Sequence, residues 1–214
     1  ARSLQRAALS RARASGLVWV LGAFVVSRIA AFAAGVRFDA SDLDIAWQVI
    51  DTDLLRHRLL ESLWYSHTEP PLFNAAIGLA LKVSPSSPGT VLNVVFLALG
   101  VVLAAATLDL ARAFGLRRTP AIVAAVVVVC SPAAILYENY LFPTFPAVVM
   151  ITVSIAAFAR WVRCGRIVWL ALLSASTMAA ALLVALIHPV WYLAILALAL
   201  RRTNSPQGNL ATGR

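Results

Sequence analysis

Charged side chains are scarce in this chain. They make up 13% of its 214 residues, whereas 61% of the residues are hydrophobic. Ordinary soluble domains contain about 25% charged residues, so this composition excludes a soluble globular fold. Several apolar runs reach the roughly 17 to 25 residues that a helix needs to cross a bilayer, and they lack a polar face. The sequence therefore predicts an all-α, polytopic transmembrane bundle of about five or six spans, with interfacial helices in its first outer loop.

Cysteine and histidine are also rare. The two cysteines, Cys130 and Cys164, lie in or beside apolar spans and are expected on different sides of the membrane, so no disulfide framework is indicated. We expect Cys130 to be a small packing residue. The histidines match neither the HExxH metal motif nor a nucleophile triad. No metal site is predicted, and a divalent-metal requirement stays open.

Acidic residues are few and unevenly placed. Seven of the nine carboxylates lie between Phe38 and Leu72, and Glu138 stands alone at the end of a long apolar run. A membrane protein that gathers its acids in one loop is expected to bind or transform a molecule there. The alternative is a solvated face that keeps interfacial helices out of the hydrocarbon, which accounts for most of these acids individually.

The basic residues lie at the ends of the apolar runs. Thirteen of the eighteen form four clusters: Arg2, Arg6, Arg11 and Arg13; Arg112, Arg117 and Arg118; Arg160, Arg163 and Arg166; Arg201, Arg202 and Arg214. This placement is typical of cytoplasmic loops, so we predict a multi-pass protein of the inner or plasma membrane with a cytoplasmic N-terminus. The net charge of +9 does not indicate nucleic-acid binding, because no basic face with stacking aromatic residues accompanies it.

These patterns divide the chain into three parts. We predict a basic cytoplasmic lead-in at 1–15, a transmembrane module at 16–202 with an outer loop at 37–70, and a disordered polar tail at 203–214. The predicted spans are 16–36, 90–111, 121–136, 146–160 and 167–185, followed by a short run that ends at Arg201. Pro132 is expected to kink the third span. Residues 71–83 are too few for a full crossing, and they must re-enter or lie flat if every arginine cluster is cytoplasmic.

Apolar residues repeat at helical spacing in the outer loop, at Leu43, Ala46, Trp47, Ile50 and Leu54. Residues 55–64 continue the pattern. It predicts one or two amphipathic helices in the membrane interface, with tryptophan at headgroup depth. The double proline at 70–71 then stops one helix and starts another.

Four ionisable residues stand at or near the ends of spans. Asp39 follows the first span, where partial desolvation would raise its pKa toward the value useful in a general base. Arg28 lies about 12 Å before the outer end of that span and either snorkels outward or holds an anionic group. Glu138 either faces water or needs a partner. His188 is either structural or a hydrogen-bond donor to a phosphate.

Four segments in order resemble the GT-C superfamily of integral membrane glycosyltransferases: FDASDLDIAWQ, HTEPPLFNAAIGLALK, SPAAILYENYLFPTFP and ALIHPVWYL. Within it, the chain is most similar to bacterial relatives of the dolichyl-phosphate-mannose–protein mannosyltransferases and the aminoarabinose transferases. The resemblance implies transfer of a sugar from a polyprenyl-phosphate donor to an acceptor hydroxyl, lipid or glycan at the outer membrane face.

The resemblance also implies roles for single residues. Asp39 matches the acid that deprotonates the acceptor, and Asp42 or Asp44 could hold that role instead. Glu69 matches a residue that shapes the acceptor site, and Glu138 matches an acid beyond the later span. The candidates for binding substrate, including the donor phosphate, are Arg28, Asp42, Asp44, His67, Asn74 and His188.

Members of the GT-C superfamily are usually much longer than this chain. The sequence therefore leaves three alternatives: an amino-terminal module of a longer enzyme, a truncated and inactive relative, or a subunit that needs a partner. A non-catalytic membrane scaffold or a transporter fragment is the competing interpretation of a different class. A transporter is expected to place paired ionisable residues near the bilayer midplane on broken helices, whereas Arg28, Asp109, Glu138 and His188 stand near span ends. A scaffold predicts that Asp39, Glu69 and Glu138 are scattered over separate surfaces.

Overall fold

The computed structural model describes residues 2–43, 48–66, 69–184, 190, 194 and 197, with side chains from residue 16 onward except that of Asp42. In these ranges the chain is mostly helical and forms no β-strand, which confirms the all-α class. The helices are α1 (Arg2–Ala33), α2 (Thr52–His57), α3 (Leu59–Tyr65), α4 (Pro71–Val83), α5 (Pro88–Ala113), α6 (Arg118–Val129), α7 (Pro132–Glu138), α8 (Thr144–Cys164) and α9 (Ile167–Leu183).

Three helices in the described ranges are long and apolar enough to cross a membrane: Gly16–Ala33 of α1, α5 and α8. The bent pair of α6 and α7 makes a fourth if it is one span. The prediction of five or six spans exceeds this number. Its fifth span, α9, has 17 residues and is about 26 Å long, shorter than a hydrocarbon core of about 30 Å. The predicted run ending at Arg201 and the polar tail lie outside the described ranges.

The third predicted span bends at its proline, as expected. α6 and α7 meet at an angle of 51°. Pro132 has no N–H to continue the helix and begins α7. The Ser131 hydroxyl caps this new helix by accepting a hydrogen bond from the Ala134 amide at 3.2 Å. The Cys130 thiol donates to the Ala23 carbonyl at 3.6 Å, so the bend packs directly on α1.

α5 lies at the centre of the bundle, where it packs against α1, α4, α6 and α8. α8 and α9 form an antiparallel hairpin, which reverses at Gly165 with a φ of 63°, a conformation that glycine adopts without strain. The hydroxyls of Ser154 and Ser176 lie 2.8 Å apart between these two helices, and Thr177 donates to Ser154 at 3.2 Å. Such contacts between small polar residues join helices where the hydrophobic effect cannot.

The outer loop contains two short helices. α2 and α3 have 6 and 7 residues, so the amphipathic segments are shorter than the sequence pattern predicts. Leu55 and Leu59 are buried against the bundle, whereas Leu60 and Trp64 are about four-fifths exposed, at 82% and 79%. The loop therefore has one apolar face that packs on the bundle and exposed apolar side chains, Leu60 and Trp64, that do not. Residues 44–47 of the predicted helix lie outside the described ranges.

The bundle has two ends that differ in chemistry. The start of α5 lies beside the segment after α1, because a Cβ on Gly89 would be 3.2 Å from that of Ala40. Asp109 stands about 32 Å farther along α5, at 1.5 Å per residue. We call the end of the bundle at the start of α5 the loop end. The opposite end, at Asp109 and the arginine clusters of α5 and α8, is the arginine end. Charged side chains occupy both.

Candidate functional site

Two distant segments meet at the loop end. The Asp39 amide donates to the Asn139 carbonyl at 2.7 Å, and the Leu141 amide donates to the Asp39 carbonyl at 3.0 Å, which forms an isolated bridge between Asp39 and Tyr140. The acid after the first span and the acid at the end of α7 therefore lie at the same end of the bundle. The scaffold interpretation predicted that Asp39, Glu69 and Glu138 would be scattered over separate surfaces, and the bridge bears only on the relation of Asp39 to the end of α7.

Arg28 and Glu138 form a buried ion pair. Arg28 Nε donates to Glu138 Oε1 at 2.8 Å and Nη2 donates to Oε2 at 2.6 Å, so the pairing is bidentate. The side chains are 10% and 1% exposed. Arg28 Nη1 also donates to the Val129 carbonyl at 2.6 Å, and the guanidinium lies 4.2 Å from the centre of the Phe24 ring. The pair therefore joins α1 to the bend between α6 and α7.

This arrangement identifies the partner that an acid in an apolar helix requires. Both Glu138 oxygens are occupied and the carboxylate is excluded from solvent, so the geometry favours a positioning role over proton transfer. Arg28 is likewise engaged on two of its three nitrogens by Glu138. Sequence reasoning singled out both residues but missed that they are each other's partner.

Gly100 leaves the space that this ion pair fills. A Cβ at this position would lie 2.3 Å from Glu138 Oε2 and 2.7 Å from the Phe24 ring. We therefore expect Gly100→Ala to lower the free energy of unfolding by about 1 to 3 kcal/mol through overpacking, despite alanine's better helix propensity. Gly22→Ala is the control, because nothing lies within 4 Å of its added Cβ. Equal unfolding free energies in detergent for the two variants would contradict the packing described here.

The carboxylate of Asp39 is exposed, unlike that of Glu138. Its Oδ1 accepts a hydrogen bond from the Ser41 amide at 2.9 Å. This bond, followed by one from the Ser41 side chain, holds the pKa of Asp39 below its ordinary value. The sequence-based expectation of a raised pKa is wrong, because hydrogen bonds to the ionised form outweigh desolvation at this exposed position.

Asn74 and Glu69 lie in the loop that leads into α4. Asn74 is fully buried; its Nδ2 donates to the carbonyls of Gln48 and Pro70, and its Oδ1 accepts from the Ile50 amide. Its amide thus fixes the backbone of the loop. Glu69 Oε2 accepts from the Ser66 hydroxyl at 2.5 Å.

The remaining predicted site residues lie outside the description. The side chain of Asp42 and the positions Asp44, His67 and His188 are not among the described residues, so their substrate-binding roles stay predictions. In the ranges that are described, no group of three or more His, Cys, Asp or Glu side chains is placed to hold a metal ion.

An apolar groove opens between α4, α5, α8 and α9 in the loop-end half of the bundle. It has a volume of about 230 Å³, and its walls include Leu72, Phe96 and Leu183. The ring of Phe96 packs edge-on against Phe38 with centroids 5.3 Å apart. Because Phe38 directly precedes Asp39, this contact joins the segment that carries the exposed acid to a residue of the groove wall.

A smaller cavity of about 140 Å³ lies on the other side of Phe38 and brings Arg28, Arg37, Asn93 and Asn139 together. Arg37 is exposed, with its guanidinium 3.6 Å from the centre of the Phe32 ring. Sequence reasoning did not select Arg37. Its position two residues before Asp39 was the available signal.

A second ion pair lies at the arginine end, between Asp109 of α5 and Arg160 of α8. The guanidinium of Arg160 stacks 4.3 Å from the centre of the Trp169 ring on α9. This pair joins the central helix to the α8–α9 hairpin. The sequence placed both residues at span ends but did not predict their pairing.

Comparisons with protein-family models, with curated proteins and with solved structures found no match for this chain. The resemblance to GT-C enzymes therefore depends on the ordered motifs alone.

Proposed function

We propose that this chain is a glycosyltransferase module that moves a sugar from a polyprenyl-phosphate donor to an acceptor at the outer face of the membrane. The observation that carries the proposal is the contact of Phe38 with Phe96, which links the exposed carboxylate of Asp39 to an apolar groove. A donor with an isoprenoid chain and a polar sugar phosphate needs such a pairing of apolar and polar surfaces. The arginine clusters orient the arginine end toward the cytoplasm and the loop end outward.

Each part of the donor has a counterpart at the loop end. A segment of the isoprenoid chain lies in the groove, and the phosphate lies toward Arg37 and its cavity. In the transfer step, the acceptor oxygen forms a bond to the anomeric carbon while its proton passes to the Asp39 carboxylate. The bond between the anomeric carbon and the phosphate oxygen breaks, and polyprenyl phosphate leaves with the electron pair.

The buried ion pair stabilises the backbone that carries the proposed base. Arg28 and Glu138 hold the end of α7 against α1, and the Asn139 and Leu141 backbones that follow α7 in turn hold Asp39. We therefore assign Glu138 and Arg28 to positioning the base. Glu69, held by Ser66, and the buried Asn74 shape the loop on the acceptor side.

Binding of undecaprenyl phosphate to the purified chain tests the groove. Ala76 lines it, so Ala76→Trp should fill the space and weaken binding about tenfold, which corresponds to losing roughly 55 Å² of apolar contact. Ala98 is exposed on α5 and does not line the groove, so Ala98→Trp should bind as the wild type does. Native mass spectrometry in detergent gives the affinities. Equal weakening by both tryptophans, or by neither, would refute the groove as the donor site.

A further inference from the structure

The arginine end contains a basic cavity that the proposed transfer does not use. It has a volume of about 280 Å³, and four guanidinium groups and one carboxylate line it: Arg112, Arg160, Arg163, Arg166 and Asp109. The carboxylate is already paired with Arg160. The segments 1–15 and 185–214, whose side chains are largely undescribed, contain no acid in the sequence, so they add no negative charge to this end.

The α8–α9 turn concentrates this charge. Arg163 lies in the last turn of α8 and Arg166 immediately precedes α9, and the left-handed conformation of Gly165 between them reverses the chain. Both arginines are exposed. Trp169, in the first turn of α9, places its indole ring against the guanidinium of Arg160. Tryptophan beside arginine is typical of the headgroup layer of a membrane.

An apolar groove continues from this basic cavity into the bundle. It has a volume of about 410 Å³ and shares Asp109, Arg112, Arg160 and Trp169 with the basic cavity. The rest of its lining is apolar and comes from α1, α5, α8 and α9, and on α5 it extends to Val102. Val102 lies about 10 Å from Asp109 along the helix axis. The combined surface is therefore cationic at one end and apolar along its length.

We propose that this surface binds one anionic phospholipid. Its phosphate lies among the arginines, and the part of an acyl chain nearest the headgroup lies in the groove between α1, α5, α8 and α9. Guanidinium groups bind phosphate through paired, charge-assisted hydrogen bonds. A zwitterionic lipid would bring an ammonium group against the same arginines and bind more weakly. The site lies at the opposite end of the bundle from Asp39, so it does not depend on the proposed transfer reaction.

Native mass spectrometry of the full chain with phosphatidylglycerol or phosphatidylethanolamine tests the proposal. We expect the wild type to prefer phosphatidylglycerol about tenfold. Arg163→Gln combined with Arg166→Gln should abolish this preference, since each arginine near an anionic headgroup contributes about fivefold to affinity. Inorganic phosphate should not compete, because the acyl chain provides part of the binding.

Two controls separate this site from general surface charge. Arg117→Gln combined with Arg118→Gln removes the same charge from the start of α6, and neither arginine lines the cavity. It should keep the preference within about twofold. Ala105→Phe narrows the groove without touching an arginine and should also weaken phosphatidylglycerol binding. Equal binding of the two lipids by the wild type, or an equal loss in both double variants, would overturn the proposal. Displacement by inorganic phosphate would reassign the site to free anions.

Discussion

Glu138→Ala is expected to destabilise the protein by about 3 to 5 kcal/mol, because it leaves the guanidinium of Arg28 buried without its carboxylate. The side chains of Arg28 and Glu138 are 10% and 1% exposed, so water cannot replace the lost partner. The free energy of unfolding, measured in micelles by steric trapping, gives the effect directly. The same substitution should also loosen the segment around Asp39, because the backbone bridge to Asp39 begins at Asn139, next to Glu138.

Two comparisons make this prediction specific to the buried pair. Glu61→Ala removes the same side chain from an exposed pair with Arg58, at 3.9 Å and 57% exposure, and should cost less than about 1 kcal/mol. Replacing both members, as Arg28→Met with Glu138→Leu, removes the unpaired charge and should restore most of the stability. A Glu138→Ala variant as stable as Glu61→Ala would contradict the assigned positioning role.

Asp39→Asn is expected to lower sugar transfer by about a hundredfold to ten-thousandfold, the contribution of a general base. Asparagine keeps the backbone bridge and accepts the same hydrogen bond from Ser41, so the fold should be unchanged. Transfer is measured in proteoliposomes from a panel of tritiated polyprenyl-phosphate hexoses and pentoses. Asp53→Asn makes the same chemical change in an exposed loop acid and should retain wild-type transfer.

The pH dependence of sugar transfer follows from the lowered pKa of the Asp39 carboxylate. The ionised carboxylate is the active form, and hydrogen bonds from Ser41 keep it ionised to lower pH than an ordinary aspartate. The rate of sugar transfer should therefore be flat between about pH 5 and 7 and fall only below about pH 4.

Wild-type transfer by Asp39→Asn would remove Asp39 as the base. Undecaprenyl phosphate binding without transfer from any donor would instead identify a non-catalytic relative.

The helical class and the bend at Pro132 were predictable because they depend on properties that the sequence displays directly. Hydropathy reports the transfer of a side chain into hydrocarbon, and proline removes a backbone donor wherever it occurs. The convergence of Asp39 with the end of α7 also followed from the arginine clusters. Once these fixed the direction of each span, both segments had to emerge on one side.

The pairing of side chains was not predictable from the same signals. The sequence left open whether Glu138 faces water or has a partner, and hydropathy does not say which of several arginines lies at its depth. Asn74 looked like a substrate ligand because it stands in a motif, whereas its amide holds three backbone groups of the loop. The expectation of a raised pKa for Asp39 was wrong because the hydrogen bond from the Ser41 amide depends on local backbone geometry, which hydropathy does not report.

The described residues contain fewer candidate spans than the five or six that the sequence predicted. An apolar run in the sequence can extend beyond the end of the helix that it contains. The predicted span at 167–185 is therefore longer than α9, which ends at Leu183. Composition also cannot distinguish a helix that crosses from one that packs against neighbours. α4 packs against α2, α5 and α9 and lines the groove, which gives a short apolar helix a use without a full crossing.

The most direct test of the account is photo-crosslinking with a polyprenyl phosphate that carries a diazirine on its first isoprene units. The proposal predicts crosslinked peptides from the groove walls, in α4 near Leu72, in α5 near Phe96 and in α9 near Leu183, and their loss in Ala76→Trp. Crosslinks confined to the arginine end, or spread evenly over all lipid-facing helices, would contradict a donor site beside Asp39.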